Sequence, residues 1–583
     1  MKRKIVWLVV SCLMAAALVL ASCAPAVVEE EEEVAPPVEE EEVVEAEVAP
    51  LPEGPKYGGM LNIAINYCPI HFDPYYYDTI SYSLMGFFLE ELGMPDYSVD
   101  RNVFNFRNSD VPEPFMTGCL AESWETPDSL TYIFHIRKGV YWQNKPPVNG
   151  REFNADDVVF TWHRQLGLGS GYTKPDPYAS TANYKKIVSV TATDRYTVVF
   201  KLSEPFPLQL LLLISGLPIV APEVVKTYGD AEDWHHAVGT GPWMLKDYVE
   251  DSSETFVRNP NYWGFDEHHP QNRLPYFDGI RALVIPDYPT QIAAMRSGKL
   301  DWLWRLKWEE AEGLKKTNPE INSALYPRTG KALLLRQDRE PFTDIRVRRA
   351  LQMALDLKAI GDEYYGGNCE QTTFPQTVHS CVAGVYTPCD QFPEEVQEDF
   401  AYNPEKAKQL LAEAGYPTGF KTECVLYNTE EIDLAELVGS YWAKIGVDLE
   451  LKIYDHATRS SILYGRKHKA MNWQQMADPR GRAEWTFQQY CPEIPWNFGN
   501  INDPVFNEKF DDMMATADPV ERTNKLKELN IYTTSQHWLI GLPGEYLYIF
   551  WQPWVKGYSG EVLTQGPPNV GSVWARSWFE GKP

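Results

Sequence analysis

LAESWETPDSLTYIFHIRKGVYWQNKPPVNGREFNADDVVFTWHR, residues 120–164, is the stretch that decides the fold. Its centre alternates in the manner of a strand, with Tyr132, Phe134 and Ile136 on one face. A turn is expected next, at residues 138–139. A single half-buried strand of this kind occurs in many folds, so it identifies nothing by itself.

The end of the same stretch predicts a helix. Asn154 is suited to the N-cap, because its side chain can accept a hydrogen bond from a free backbone N–H of the first turn. Asp156 and Asp157 fall in that turn, where the helix dipole favours anions. Val158 and Trp162 give the helix an apolar side. The stretch is therefore a strand, a turn and a helix of a globular domain.

The order of these residues closely resembles the signature of the family 5 solute-binding proteins of ABC importers, the dipeptide, oligopeptide and nickel receptors. Further similarities to that family follow in its expected order, at residues 239–243, 258–263, 341–350 and 402–407. The resemblance implies an α/β fold of the periplasmic-binding-protein-like class II. Such a fold has two lobes joined by crossing strands, a ligand cleft between them, and here an extra subdomain inserted in lobe I.

The resemblance and the composition together predict five segments. They are a lipoprotein signal peptide at 1–22, an acidic disordered tether at 23–55, lobe I at 56–306 with the inserted subdomain at about 76–187, lobe II at 307–535, and a return to lobe I at 536–583. Alternating strands and helices in the second half of the chain favour α/β lobes. Residues 538–550 resemble the strand by which the family returns to lobe I.

The first residues have the pattern of an export signal. Lys2, Arg3 and Lys4 precede an apolar run that ends at Leu20, too short for a typical membrane span. The following Ala-Ser-Cys completes a bacterial lipobox, so we expect Cys23 to carry lipid. A plain signal peptide or a transmembrane anchor is the alternative. Several acyl chains at one N-terminus would hold the protein stably at the outer face of the cell membrane or in the periplasm.

Charge limits the partners of the chain. The formal net charge is -28, and blocks of glutamate at 29–33 and 39–42 fall in a segment with too few apolar residues to form a core. An acidic protein is not expected to bind nucleic acid or anionic membrane. We expect a monomer that needs no cofactor and passes its ligand to ABC permease subunits in the membrane.

One phrase in the second lobe is the predicted ligand site. In peptide-binding relatives an aspartate after alanine receives the α-ammonium of the peptide, and Ala477-Asp478 has the matching position. A carboxylate in a cleft can make charge-assisted hydrogen bonds to an ammonium. The backbone of Gln475 and Met476 would pair with an extended peptide as a strand does. Trp473 would offer an aromatic wall.

Other residues leave the identity of the ligand open. Tyr67 and Trp485 are further candidates for the pocket, since aromatic residues cluster near each of them. Arg480 or Arg482 would favour a carboxylate-bearing ligand or would neutralise Asp478 instead. Asp478 can equally cap a turn before a proline.

Four rival functions remain, one of them a receptor repurposed for chemosensing or signalling. A nickel-chelate receptor would need histidine or carboxylate ligands, but the adjacent pairs 235–236 and 268–269 are expected to be surface histidines, and no metal site is predicted. A sugar receptor could use the 19 tryptophans and 33 tyrosines for stacking. A secreted hydrolase is the rival of another class, although the sequence has no H-E-x-x-H, G-x-S-x-G or Walker motif.

Cysteines complete the sequence-based expectations. The exported part of the chain would keep seven besides Cys23, an odd number. Cys369, Cys381 and Cys389 are close in sequence, and one disulfide is expected among them. At least one thiol then stays free.

Overall fold

The predicted strand and helix of the signature stretch are both present. The strand spans Thr131–Ile136 and buries Tyr132, Phe134 and Ile136, as expected. The helix spans Ala155–Leu166.

Reciprocal hydrogen bonds fix the start of that helix. The side chain of Asn154 accepts from the N–H of Asp156 at 2.9 Å, and the carboxylate of Asp157 accepts from the N–H of Asn154 at 3.0 Å. Gly167 ends the helix in the left-handed conformation, with φ 66°.

The computed structural model describes residues 54–69, 71–74, 84–107, 111–175, 184, 186–206, 209–328, 330–370, 387–428, 431–475, 487–516, 518–562 and 567–582. In chain order the strands are β1 (Met60–Ile65), β2 (Gly93–Pro95), β3 (Met116–Gly118), β4 (Ala121–Asp128), β5 (Thr131–Ile136), β6 (Ile187–Asp194), β7 (Thr197–Leu202), β8 (Trp243–Val249), β9 (Ser253–Arg258), β10 (Gly279–Val284), β11 (Trp302–Leu306), β12 (Asn322–Pro327), β13 (Lys331–Leu335), β14 (Cys369–Glu370), β15 (Lys421–Tyr427), β16 (Asp448–Tyr454), β17 (Met471–Gln475), β18 (Leu539–Gly541), β19 (Gly544–Trp551), β20 (Val555–Lys556) and β21 (Trp578–Phe579).

The helices are α1 (Ala155–Leu166), α2 (Gln209–Ser215), α3 (Pro222–Tyr228), α4 (Tyr288–Arg296), α5 (Trp308–Thr317), α6 (Ile345–Met353), α7 (Leu357–Ala359, continued by a π turn at Ile360–Tyr364), α8 (Glu394–Asp399), α9 (Pro404–Glu413), α10 (Ile432–Ala443), α11 (His456–Tyr464), α12 (Pro504–Ala515), α13 (Pro519–Ser535) and α14 (Pro567–Ala575). Short 3-10 turns lie at Glu113–Phe115, Trp234–His236 and Cys389–Gln391.

The largest sheet has eight strands. Its order is β12-β19-β11-β1-β10-β9-β8, with β14 paired to β19 as the eighth strand. β1 runs parallel to β10 and β11, and the other pairs are antiparallel. A core that includes Trp243, Tyr276 and Trp574 packs on one face, and α4 and α5 pack on the other.

A second sheet has five strands in the order β16-β15-β17-β13-β18. β15 runs parallel to β16 and β17, whereas β13 is antiparallel to β17 and β18. α6, α9 and α10 cover one face, and α12 and α13 cover the other. This is a layered α/β arrangement, as the alternating pattern predicted.

A third sheet, β4-β5-β7-β6, is antiparallel and packs with α1 around a hydrophobic core of its own. The sheet reaches Leu202, and the limits predicted for the inserted subdomain stay a prediction.

The chain passes twice between the eight-stranded and five-stranded sheets. The first connection runs from Pro327 to Lys331, and the second from Gly541 to Gly544. The second corrects one expectation: residues 538–550 form two strands in different sheets. Pro543 lies between them, and a proline has no N–H to continue a ladder.

The described thiols do not show the expected disulfide. Cys369 and Cys389 are both free, so neither is bonded to the other or to Cys381, which lies outside the described residues. Cys369 is buried in the core beneath α6, whereas Cys389 packs in a separate small cluster with Phe392. The two packing environments keep the sulfur atoms apart.

Residues Pro55–Pro583 form one compact unit. Across the described parts of the chain, no helix combines the length and apolarity needed to cross a bilayer.

The Gly-Thr-Gly turn before β8 requires its glycines because of close backbone contact. A Cβ atom on Gly239 would lie 1.7 Å from the carbonyl oxygen of Phe88, and one on Gly241 would lie 2.8 Å from it. The N–H of Gly241 donates to that same oxygen at 2.9 Å. The turn is therefore a packing contact, which agrees with the absence of a phosphate-loop motif in the sequence.

We expect Gly239→Ala to destabilise the fold by at least about 2 kcal/mol, because neither backbone can retreat. Gly313, inside α5, is the matched control: a Cβ there meets nothing closer than 3.9 Å, so Gly313→Ala should stabilise by about 0.5–1 kcal/mol. Urea unfolding followed by tryptophan fluorescence measures both. Equal stability of the two variants would contradict this assignment.

Candidate functional site

The eight-stranded sheet brings the ends of its parallel strands to one edge. Because β1 runs parallel to β10 and β11, the carboxyl ends of the three lie together. β12 ends and β19 begins at the same edge, since Leu306 pairs with Tyr548 and Pro327 pairs with Tyr546. Ligands of open α/β sheets bind outside the carboxyl ends of the parallel strands.

The five-stranded sheet presents the equivalent edge. β15, β16 and β17 run parallel and end at Tyr427, Tyr454 and Gln475. Gln475 lies opposite Lys331, the residue at which the first connection enters this sheet. Both sheets therefore turn the carboxyl ends of their parallel strands toward the same two connections. We call the residues that follow these strands, together with 327–331 and 541–545, the cleft edge.

Two partly buried ion pairs lie at the cleft edge. Arg328 Nη1 is 3.4 Å from Glu545 Oε1, which joins the two connections. Lys331 Nζ is 3.0 Å from Glu431 Oε2, and these four side chains are between 12% and 20% exposed. Burial alone would raise the pKa of Glu431, but the charge of Lys331 outweighs it and lowers that pKa. Such shielded pairs hold their geometry better than exposed ones.

The loop after α7 contacts the eight-stranded sheet at the cleft edge. The hydroxyl of Tyr548 donates to Asn368 Oδ1 at 2.7 Å. Gly366, with φ 57°, lies against the ring of Trp308, which a Cβ atom would approach to 2.8 Å. β14 extends this contact by pairing with the start of β19.

Arg459 fixes the end of β17. Its guanidinium lies 3.9 Å from the ring centroid of Tyr427 and donates a hydrogen bond to the carbonyl oxygen of Trp473. The side chain is 6% exposed. The strand that leads to the predicted ligand segment is thereby tied to the end of β15.

The structure places three of the residues predicted to bind ligand. Tyr67 follows β1 at the cleft edge and is 46% exposed. Trp473 has no exposed surface, because its ring packs into the core between β17 and the helices of one face, so its indole does not form an open wall. Gln475 is the last residue of β17. The remaining candidates lie outside the described residues: Met476, Ala477, Asp478, Trp485, Arg480 and Arg482.

Two depressions in the surface lie away from the cleft edge. One of about 730 Å³ faces the third sheet and is lined by Arg137, Tyr141 and Trp263. The other, of about 450 Å³, is lined by Asp338 and Asn500, among others. Since Asp338 follows the far end of β13, this second depression is at the edge of the five-stranded sheet opposite the connections.

The paired histidines are surface residues, as predicted. His235 Nδ1 is 2.7 Å from Asp233 Oδ1, while the backbone of His268 donates to Asp266. Each aspartate caps the turn in which its histidine lies. Within the described ranges, no cluster of histidine, cysteine or acidic side chains could hold a metal ion.

Sequence reasoning missed the ion pairs of the cleft edge. Lys331 and Glu431 are a hundred residues apart, and Arg328 and Glu545 more than two hundred. No local pattern links such positions. The usable signal is topological: each charged residue lies within four residues of a strand end at this edge, since Arg328 and Glu431 follow strands that end there and Lys331 and Glu545 open strands that begin there.

The chain has relatives among known proteins. Residues 116–492 match the family described as bacterial extracellular solute-binding proteins, family 5, middle region. Heme-binding protein A of Haemophilus influenzae is 30% identical over 446 residues, 72% of this chain and 76% of that protein. Di/tripeptide-binding protein 1 of Pseudomonas aeruginosa is 28% identical over 440 residues, 70% of this chain and 77% of that protein.

A solved structure shows the same fold. DppA from Helicobacter pylori, an ABC transporter-associated periplasmic binding protein in complex with the peptide STSA, has a TM-score of 0.71 and 24% identity, over 90% of this chain and 99% of that one. The predicted class of fold, α/β and periplasmic-binding-protein-like, is confirmed.

His468 is a buried titratable group near the second depression. Its side chain is 3% exposed, and Nε2 lies 2.9 Å from the carbonyl oxygen of Phe498. Burial, followed by the positive charge of Arg336, lowers the pKa of His468 to about 4. Because this value is below the ordinary value of about 6.5, protonation favours the unfolded chain.

We expect stability to fall from about pH 6.5 toward pH 4, with His468 contributing up to about 1.4 kcal/mol per pH unit. His468→Gln should make that fall shallower, measured by urea unfolding at several pH values. His235→Gln, a surface control, should keep the wild-type profile. Parallel profiles for wild type and His468→Gln would contradict the assignment.

Proposed function

Because the chain belongs to the bacterial extracellular solute-binding proteins of family 5, we propose that its solute is a di- or oligopeptide held at the cleft edge. Proteins of this family bind a solute outside the cytoplasm and deliver it to an ABC permease; they are not enzymes.

The observation that carries the proposal is the position of β17. Its last residue, Gln475, lies opposite Lys331 where the chain crosses between sheets. The chain enters the segment that bears Asp478 from this point, next to the carboxyl ends of the parallel strands. A strand end at a cleft supports backbone pairing with an extended peptide, which tolerates many side chains.

In this proposal Asp478 receives the α-ammonium of the peptide. Gln475, Met476 and Ala477 offer backbone groups, while Tyr67 and Trp485 offer aromatic surface. Trp473 contributes by holding the strand through its buried ring. An ammonium–carboxylate contact shielded from water is strong and is costly to leave unpaired.

Ligand binding would close the cleft by a hinge motion at the two connections. Moving a closed state from 1:99 to 99:1 needs about 5.5 kcal/mol of differential ligand binding. A shielded ammonium contact and aromatic burial can together supply free energy of that order. The permease would then distinguish loaded from empty protein by shape.

A lipid anchor at Cys23 is part of the proposal. The lipobox supports it, and the acidic segment at 23–55 would serve as a tether for the folded body. Residues 1–53 lie outside the described part of the chain.

Heme is the second candidate solute, because a relative that is 30% identical bears a heme-binding name. Titration with hemin separates the two candidates. A shift of the Soret band, with no stabilisation by peptides, would replace the peptide proposal.

We expect Asp478→Asn to weaken peptide binding by about tenfold or more, because the ammonium would lose its charged partner. Isothermal calorimetry with peptides identified by mass spectrometry of the co-purified ligand measures this. Asp511→Asn, an exposed aspartate of α12, is the control and should bind as wild type. Unchanged affinity in Asp478→Asn would reject the anchor.

We expect Cys23→Ser to move the protein from the membrane fraction to the soluble fraction, because serine cannot form the thioether. Cys491→Ser, a thiol of the folded part, should stay with the membrane. Fractionation and immunoblotting of both variants give the result. If Cys23→Ser stayed in the membrane fraction, the lipid anchor at Cys23 would be refuted, while the proposed solute would be unaffected.

A further inference from the structure

The depression of about 730 Å³ beside the third sheet has the size of a small-molecule site and an excess of positive charge. Among the described residues that line it, Arg137, Lys138 and Arg273 are cations, and Glu122 alone is acidic. The whole chain has 81 acidic and 53 basic residues, so cations that outnumber acids in one depression are unexpected. Such a local surplus of positive charge indicates an anionic ligand.

Arg137 is held in place by its neighbours. Its Nε donates to the carbonyl oxygen of Cys119 at 2.7 Å, and its Nη2 donates to that of Gly118 at 3.2 Å. The guanidinium also lies 4.5 Å from the ring centroid of Trp263. Nη1 has no acceptor in the described chain, and it is therefore available to a ligand.

Trp263 is fixed in turn by a buried carboxylate. Its Nε1 donates to Glu90 Oε2 at 3.0 Å, and the hydroxyl of Tyr262 donates to Glu90 Oε1 at 3.0 Å. Glu90 is 4% exposed. The ring that orients Arg137 is thus set before any ligand arrives, which lowers the entropic cost of binding.

Lys138 and Arg273 are exposed cations of the same depression. Arg273 Nη1 donates to the carbonyl oxygen of Tyr262 at 3.1 Å, and its guanidinium lies 5.2 Å from the ring centroid of Phe265. Lys138 Nζ lies 5.3 Å from the ring centroid of Tyr196. Neither side chain forms an ion pair with a carboxylate of the described chain, so both charges remain for a ligand.

A phosphate group suits these cations better than a single carboxylate does, because it spreads about two negative charges over three oxygens. Guanidinium groups bind phosphate through parallel hydrogen bonds, and lysine binds it as a compact charge. Tyr141 and Phe265, which are 47% and 46% exposed, add aromatic surface to the depression. We propose that this depression is a second binding site, which takes a phosphate group carried by an apolar or aromatic molecule.

The site is separate from the cleft edge. Residues 259–278 join the end of β9 to the start of β10, and the carboxyl end of β10 lies at the cleft edge. The loop that carries Trp263 and Arg273 is therefore at the opposite edge of the eight-stranded sheet. The phosphate ligand and the solute do not compete for space, and this inference does not depend on the proposed peptide function.

Two sources carry the required chemistry, a soluble organic phosphate and the headgroup of a phospholipid. Lys138→Gln combined with Arg273→Gln removes two exposed charges from the site. Lys246→Gln combined with Arg281→Gln is the matched control, because these exposed cations of β8 and β10 lie outside the depression. All chains also carry Cys23→Ser, so that a lipid anchor does not contribute to vesicle binding.

Phenyl phosphate, inorganic phosphate and benzoate are titrated into the full chain by isothermal calorimetry. Co-sedimentation with phosphatidylcholine vesicles, with and without phosphatidylglycerol, tests the lipid source. We expect phenyl phosphate to bind more tightly than the other two soluble probes. The double variant of the site should weaken its binding about tenfold or more, and the control pair should not. Tyr141→Ala should weaken binding of phenyl phosphate but not of inorganic phosphate.

The outcomes identify the source or refute the site. Binding only to vesicles that contain phosphatidylglycerol, lost in the double variant of the site and kept in the control pair, assigns the phosphate to a lipid headgroup. If neither phenyl phosphate nor these vesicles bind, or if the two double variants behave alike, the site is refuted. Benzoate that binds as tightly as phenyl phosphate would exclude phosphate as the specific ligand. Unchanged binding of phenyl phosphate to Tyr141→Ala would exclude the aromatic part. Peptide titration of the same chains tests the proposed function separately.

Discussion

The structure depends on the close approach of two backbone segments, residues 328–331 and 541–545, which carry the chain between its two main sheets. The N–H of Leu542 donates to the carbonyl oxygen of Lys331 at 2.9 Å, and the N–H of Arg328 donates to that of Glu545 at 3.0 Å. A Cβ atom on Gly330 would lie 2.1 Å from the carbonyl oxygen of Leu542. The connections can therefore touch only because this position has no side chain.

This contact determines what the cleft edge can do. Since both connections lie at the carboxyl ends of the parallel strands, the loops that follow these strands in both sheets lie at one edge, where open α/β sheets bind ligands. Two pairs of charged residues there neutralise each other, Arg328 with Glu545 and Lys331 with Glu431. The overall charge of -28 therefore says little about the local charge at this edge.

Local sequence cues predicted local structure well. Asn154 begins α1 as predicted, because a cap depends on neighbouring residues only. The resemblance of the signature stretch predicted the class of fold. The split of residues 538–550 into β18 and β19 was missed, although Pro543 marks the break.

The site was harder to predict because its parts meet through long-range pairing. For example, β11 has one extra residue between Leu303 and Leu306, and this bulge exists only through its register with β19, some 240 residues later in the chain. The burial of Trp473 could have been inferred, since Met471 and Trp473 alternate toward one face of a central strand. Asp478 stays a prediction from resemblance.

The connections lie near one side of the five-stranded sheet, so its strands differ in their distance from them. They lie beside β13 and β18 in one sheet and beside β12 and β19 in the other, and the loop that carries β14 adds a third attachment there. With strands about 4.8 Å apart, β16 lies three spacings, or roughly 14 Å, from β13. In the proposed closing motion about the two connections, β16 would move farthest, because it lies farthest from the axis. A long peptide would then find additional space near β16, while the contacts next to the connections stay the same.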